Sequence, residues 1–316
     1  MAPELASGHR SFRLKADALL PLSAKTDAAG TFRAAVHLGA IVALASLVWL
    51  TLPSGWAVLP IVLLGYLQAF LFSILHETAH RTAFRTRGLN TALGHFAGFL
   101  LLLPYEYYRA FHWDHHRYTQ NPERDPELAI SPPTSLASLM WVWSGIPMWI
   151  GRLRMLLTHG LQSQVAKPWV KADQTSTIAR EARWYLAGYS LVAIAAVSGG
   201  LGIIFWLWLL PMTIGYLFLR PYLLSEHTGC ENSSDMLANT RTTYCNGFIR
   251  FFAWNMPYHA EHHAYPAVPF HALPALNVRL ASHLRNTERG YTASTRAVVR
   301  HVLSQEAAAS AAKAGR

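Results

Sequence analysis

The sequence predicts an all-α integral membrane protein, with four transmembrane helices in two hairpins and a cytoplasmic helical cap. Three observations carry that expectation. The 316 residues are 52% hydrophobic and only 14% charged, against the roughly 25% charged residues of soluble domains. Two long stretches, Ala34 to Leu75 and Trp184 to Leu219, contain no Lys, Arg, Asp or Glu. Tryptophan is abundant, at 11, which suits side chains that settle at a membrane–water interface.

Residues 1–31 read as a cytoplasmic N-terminal segment. They mix both charge signs and lack the apolar core of a secretory signal, so the first hydrophobic span serves as the insertion signal. A membrane-bound domain follows over residues 32–303. A spanning helix needs about 20 apolar residues, and each charge-free stretch is about two spans long. Each also breaks near its middle, at Pro53-Ser54-Gly55 and at Ser198-Gly199-Gly200, clusters that mark turns. The hairpins are therefore placed at about 34–75 and 184–219. Neither turn carries a basic residue, whereas Arg81, Arg85, Arg87, Arg109, Arg117, Arg183 and Arg220 flank the hairpins. The positive-inside rule then places both termini and the central segment in the cytoplasm.

Two shorter apolar segments complicate this count. Thr91 to Pro104 is too short to span and reads as re-entrant or interfacial. Ser135 to Ile150, interrupted by Gly145 and Pro147, is also taken as interfacial, because a fifth span would move everything after it to the other face. Residues 304–316, alanine-rich and polar, read as a flexible tail.

The two cysteines, Cys230 and Cys245, exclude a disulfide framework. They equally exclude a built-in rubredoxin or iron–sulfur module, which needs four thiolates. The net charge of +10 fits the positive-inside bias of a membrane protein; contact with anionic lipid or an acidic partner protein is the other reading. No nucleic-acid-binding motif accompanies it.

Histidine carries the chemistry. His76 and His80 lie in H-E-T-A-H, His112, His115 and His116 in H-W-D-H-H, and His259, His262 and His263 in H-A-E-H-H, while His227 stands alone in S-E-H-T-G. Residues four apart share one helix face, so His76 and His80 project together from the cytoplasmic end of the second span. In the other two clusters the i, i+3, i+4 spacing points three imidazoles toward one side. Neutral imidazole suits iron, zinc, copper and nickel. These nine rings exceed what one ion can hold, and two ions with four or five ligands each would use them all. With four spans, all nine fall on the cytoplasmic side. For His9, His37, His95, His159, His271, His283 and His301 no partner sits at ligand spacing; His95 and His271 lie near enough to the clusters to support ligands indirectly.

H-E-T-A-H also matches the zinc metalloprotease signature, with Glu77 as general base. That reading leaves His112, His115, His116, His259, His262 and His263 unexplained. Soluble di-iron bundles use paired E-x-x-H motifs; here that spacing occurs once among the clusters, at Glu77 to His80, which favours an all-histidine ligand set. Glu77, Asp114, Glu226 and Glu261 each neighbour a proposed ligand. They either accept the second imidazole N–H and fix ring orientation or pair with nearby arginines.

The pattern H-x-x-x-H, H-x-x-H-H, H-x-x-H-H resembles the membrane fatty acid desaturase and hydroxylase superfamily, over roughly Leu75 to Leu276. The run from Asn255 to Pro266, N-M-P-Y-H-A-E-H-H-A-Y-P, is most similar to the third box of bacterial and sphingolipid-type desaturases. The resemblance implies a four-span bundle whose cytoplasmic cap holds two non-haem irons, with O2 as co-substrate and no catalytic residue beyond the metal ligands. It further implies a lipid or acyl substrate and an external electron donor of ferredoxin, rubredoxin or cytochrome type on the cytoplasmic face, for which Arg85, Arg87, Arg109 and Arg117 are candidate contacts, lipid head groups being the other. An extra histidine ligand is implied between the second and third boxes, where His227 stands; its Glu226-His227-Thr228-Gly229 context is similar to membrane alkane hydroxylases, although the second box departs from their form. Some members hold one iron through an asparagine and a water, a role for which Asn255, four residues before His259, is the candidate. Desaturation is the first expectation and hydroxylation of a lipid or other hydrophobic substrate the second.

Overall fold

In the computed structural model, residues 12–163 and 165–314 are described; residues 1–11 of the expected N-terminal segment, and residues 315–316, lie outside them. Among the described residues, three helices are long and apolar enough to cross a membrane: Asp27–Thr51, Gly55–His80 and Ala172–His227.

The first, α1 (Asp27–Thr51), starts at Thr26, whose side chain accepts the Ala28 N–H, and stops at Leu52 before Pro53. Proline disfavours the helical conformation in the residue before it. The chain returns through α2 (Val58–Ala69) and α3 (Leu71–His80). His37 of α1 bonds the Leu67 carbonyl at 2.9 Å, which fixes α1 antiparallel to α2. Helix α3 ends at Arg81 in the left-handed region, φ 57°. Both hairpins extend past their apolar stretches, because the histidine-bearing turns are buried by the cap rather than exposed to water.

Between the hairpins come α4 (Arg87–Leu100), α5 (Tyr105–Tyr118), α6 (Leu136–Trp143) and α7 (Ile146–Leu161). The first expected interfacial segment falls largely in α4. The second is split between α6 and α7 at Gly145, whose φ is +74°. None of these helices reaches about 20 residues.

The 56-residue third span is two helices, α8 (Thr175–Ala195) and, ending it, α9 (Leu210–His227), with non-helical backbone at Ser198 and Gly199. The Tyr189 and Trp208 rings lie 6.5 Å apart, whereas an unbroken helix rising 1.5 Å per residue would separate them by about 28 Å. The chain therefore reverses at Gly199, where φ of +108° is a conformation glycine adopts freely. Val42, Leu47, Leu191, Ile194, Leu201 and Ile203 point outward, where a water-soluble surface would not gather so many large apolar groups.

The hairpins meet where α2 crosses α9. A Cβ on Gly65 would stand 2.2 Å from the Pro211 carbonyl oxygen, and one on Gly215 2.0 Å from the Gly65 oxygen. Small residues at such a crossing let backbones touch, the usual source of helix cohesion in lipid.

After α9 the chain forms β1 (Arg241–Tyr244), α10 (Gly247–Phe252), α11 (His259–Ala264), α12 (Leu273–Leu280), β2 (Asn286–Arg289) and α13 (Tyr291–Ala314). The all-helical expectation omitted the small parallel pair β1–β2, in which Thr242 faces Thr287. Residues 304–314, expected as a loose tail, continue α13.

Candidate metal centre

Four elements converge at one end of the hairpins. Helix α3 brings His76 and His80, α5 brings His112, His115 and His116, the last residue of α9 is His227, and α11 brings His259, His262 and His263. None of these nine is more than 7% exposed.

They fall into two groups. The donor nitrogens of His76, His80, His112, His116 and His262 lie within 4.8 Å of one another, as do those of His115, His227 and His263. The His259 ring is 4.6 Å from His263 and 5.1 Å from His227, but 6.1 Å from His76, so it flanks the second group. The two groups touch where His116 stacks on His263 at 4.0 Å. Each H-x-x-H-H box keeps its three rings on one side, with centroids within 5.9 Å of one another, but they are shared between two groups. Consecutive helical residues are turned by about 100°, so the adjacent pair divides. His116 and His262 serve the first group, His115 and His263 the second.

The donor chemistry fits metal ions. Buried side-chain nitrogens without a hydrogen-bond partner include both of His76, both of His80, and Nε2 of His227 and His263. The His116 Nε2 lies 3.1 Å from Nε2 of both His112 and His262, nitrogens converging on a common point rather than pairing off. Burial, reinforced by neighbouring rings, holds His112, His116, His259 and His263 well below the usual imidazole range, and burial takes His262 down to about 3. These rings are thus neutral, with lone pairs available, the state that metal ligation requires. His115 differs: burial pulls it down, but the charge of Glu127 and the hydrogen bond and charge of Asp125 outweigh it and raise its pKa.

Of the carboxylates expected to orient ligands, Glu226 has an oxygen 3.4 Å from His259 Nδ1. The others have different partners. Glu77 accepts from the Thr82 hydroxyl at 2.8 Å and the Phe270 N–H at 3.3 Å. Asp114 pairs with Arg117 at 3.0 Å, the arginine alternative. Glu261 receives the Thr242 hydroxyl at 2.5 Å and the Asn277 amide, which fastens α11 to β1 and α12. Asn255 spends its amide on the Phe270 carbonyl at 2.9 Å and shapes the turn before α11 in the left-handed region, φ 58°. His95 and His271 belong to neither group; His95 pairs with Glu181 at 3.0 Å.

Sequence reasoning missed the other groups that lie against the rings. Asp125 meets His115 Nδ1 at 2.9 Å, the Thr119 hydroxyl lies 3.2 Å from His263 Nδ1, and the Asn239 carbonyl 3.3 Å from His227 Nδ1. A backbone carbonyl has no sequence signature. Asp125 had one: it stands in the acid-bearing run N-P-E-R-D-P-E just past the second box.

With this geometry in place, comparison with known proteins is direct. The family model described as fatty acid desaturase matches residues 53–295. The chain is also similar to dihydrorhizobitoxine desaturase of Bradyrhizobium elkanii, 28% identical over 261 residues, which covers 76% of this chain and 71% of that protein.

Proposed function

Because the chain belongs to the fatty acid desaturase family, we propose that it is a membrane-bound di-iron enzyme that introduces a double bond into a lipid chain, using O2 and electrons from an external donor. The observation that carries this reading is the paired arrangement of buried, neutral imidazoles, with His76, His80, His112, His116 and His262 around one point and His115, His227 and His263 around another. His259 joins the second set. The iron pair, when bound, supplies the oxygen-dependent oxidation of an unactivated C–H bond.

The protein's own part is to hold the rings, exclude water and present the substrate. Tyr108 stacks on His112 at 5.1 Å, and Trp113 packs edge-on to His80 at 4.9 Å. Such walls keep a reactive site dry. The hairpins hold the site at the bilayer surface, within reach of an apolar chain. In this reading four spans place the site and both termini on the cytoplasmic side, with exposed Arg85, Arg87 and Arg117 available to an acidic electron carrier of ferredoxin, rubredoxin or cytochrome type.

The relative named for a desaturation favours an alkene over an alcohol as product. The protease reading leaves six box histidines unexplained, and one Glu77 oxygen, Oε2, is already engaged by Thr82 and Phe270. The test is mass spectrometry of lipid extracts incubated with iron-loaded protein, O2 and a reductant. A product two hydrogens lighter, dependent on both O2 and reductant, is expected. A product one oxygen heavier would assign hydroxylation instead, and a protein that binds one zinc and no iron would overturn the di-iron reading.

A further inference from the structure

We propose that Glu127 is a carboxylate ligand of the second metal site, so that this site is not built of histidine alone. The inference rests on the metal-binding reading above. Glu127 sits in the short helical turn Pro126–Ala129, capped by Asp125, whose Oδ1 accepts the Glu127 N–H at 2.9 Å. One turn thus brings two carboxylates to a single ring: Asp125 Oδ1 at 2.9 Å from His115 Nδ1, and Glu127 Oε1 at 3.8 Å from His115 Nε2.

The two contacts differ in kind. A neutral imidazole has one N–H and one lone pair. Asp125, an acceptor, takes the Nδ1–H, so Nε2 turns its lone pair toward Glu127. A carboxylate oxygen and a lone pair are both acceptors, and they face each other stably only with a cation between them. The donor nitrogens of His227 and His263 lie within 4.8 Å of that of His115, and bonds of about 2.1 Å put two ligands of one metal roughly 3–4 Å apart. Among the described residues, the Glu127 side chain accepts no hydrogen bond and has no Lys or Arg nitrogen within 4.0 Å. It is 44% exposed while His115 is 1% exposed, so it reaches a buried nitrogen from an open side. The alternative cation is a proton on His115, and it predicts a different result.

The experiment measures iron per chain and the Mössbauer spectrum of purified protein loaded with 57Fe, for wild type, Glu127→Ala, Glu127→Asp and the nearby exposed Glu123→Ala. Two irons are expected in wild type and in Glu123→Ala. Glu127→Ala should weaken retention of one iron at least tenfold against a chelator and alter one quadrupole doublet while leaving the other unchanged, and Glu127→Asp should recover part of the retention. Two irons held with wild-type affinity and an unchanged spectrum in Glu127→Ala would assign the intervening cation to a proton and overturn the proposal while leaving the di-iron reading intact. A wild-type protein that takes up no iron would overturn both.

Discussion

The Glu181 carboxylate accepts the Glu106 backbone N–H through both its oxygens, at 3.0 and 3.1 Å. It lies in α8, at the start of the second hairpin, and also reaches the Tyr107 N–H at 3.4 Å. These N–H groups open α5, where a helix leaves its first donors unpaired and favours negative charge. One buried acid therefore anchors the helix that carries His112, His115 and His116. Hydrogen bonds to charged groups are worth roughly 1.5–3 kcal/mol, so Glu181→Ala should lower stability by about 2–3 kcal/mol. Thermal unfolding in detergent, followed with iron content, checks this; Glu181→Gln should fall between the two, since it keeps an acceptor without the charge.

Contact between the hairpins makes a second, independent prediction. Gly65 and Gly215 each face the opposing backbone closely enough that a methyl group would overlap a carbonyl. The backbone cannot swing aside as a flexible side chain would. Overpacking costs typically 1–3 kcal/mol, so Gly65→Ala and Gly215→Ala should each lower the unfolding temperature. Gly39 and Gly202, which have nothing near the position of a Cβ, should accept alanine with little change.

Much of this site was legible in the sequence, because ligation requires specific residue types at helical spacing. The three boxes and His227 could be read at that level. What could not be read was the division of each adjacent pair between two centres, which needs the helices' orientation about their own axes. The turn at Gly199 was visible as a break in a charge-free run. The β1–β2 pair was not: it is short and parallel, and its partners are separated by α10, α11 and α12. Glu77, Asp114 and Glu261 stand beside ligands in sequence, but neighbours along a helix face different ways, and each found its partner elsewhere.

Acidity should destabilise the metal-free protein. Burial holds His112, His116, His259 and His263 well below the free value of 6.5, and His262 at about 3. As pH falls below 6.5 the unfolded chain protonates these rings and the folded chain does not, so unfolding gains. The stability present above 6.5 is lost progressively as the pH falls, for His262 down to about 3, with each such ring contributing up to about 1.4 kcal/mol per pH unit. His115, whose pKa is raised, works the other way, and one ring opposes five. Denaturant unfolding of chelator-treated protein should therefore show a midpoint that falls steeply between pH 6.5 and 4. A flat profile across that window would contradict neutral, buried imidazoles.

Glu77 and His262 separate metal ligation from structural support within the same core. Glu77 is fully buried, and its Oε2 receives the Thr82 hydroxyl and the Phe270 N–H, bonds that tie the end of α3 to the chain leading into α12. A glutamine offers an oxygen to the same donors, so Glu77→Gln should cost no more than about 1–2 kcal/mol and leave iron content near that of wild type. His262 Nε2 instead points at His116 Nε2 from 3.1 Å, inside the five-histidine group. His262→Ala removes a donor that no neighbouring side chain replaces, and it should lose iron from that group even where the fold persists. Paired measurement of unfolding temperature and iron per chain distinguishes the two. If Glu77→Gln lost metal and His262→Ala kept it, the first histidine group would not be where the metal is held.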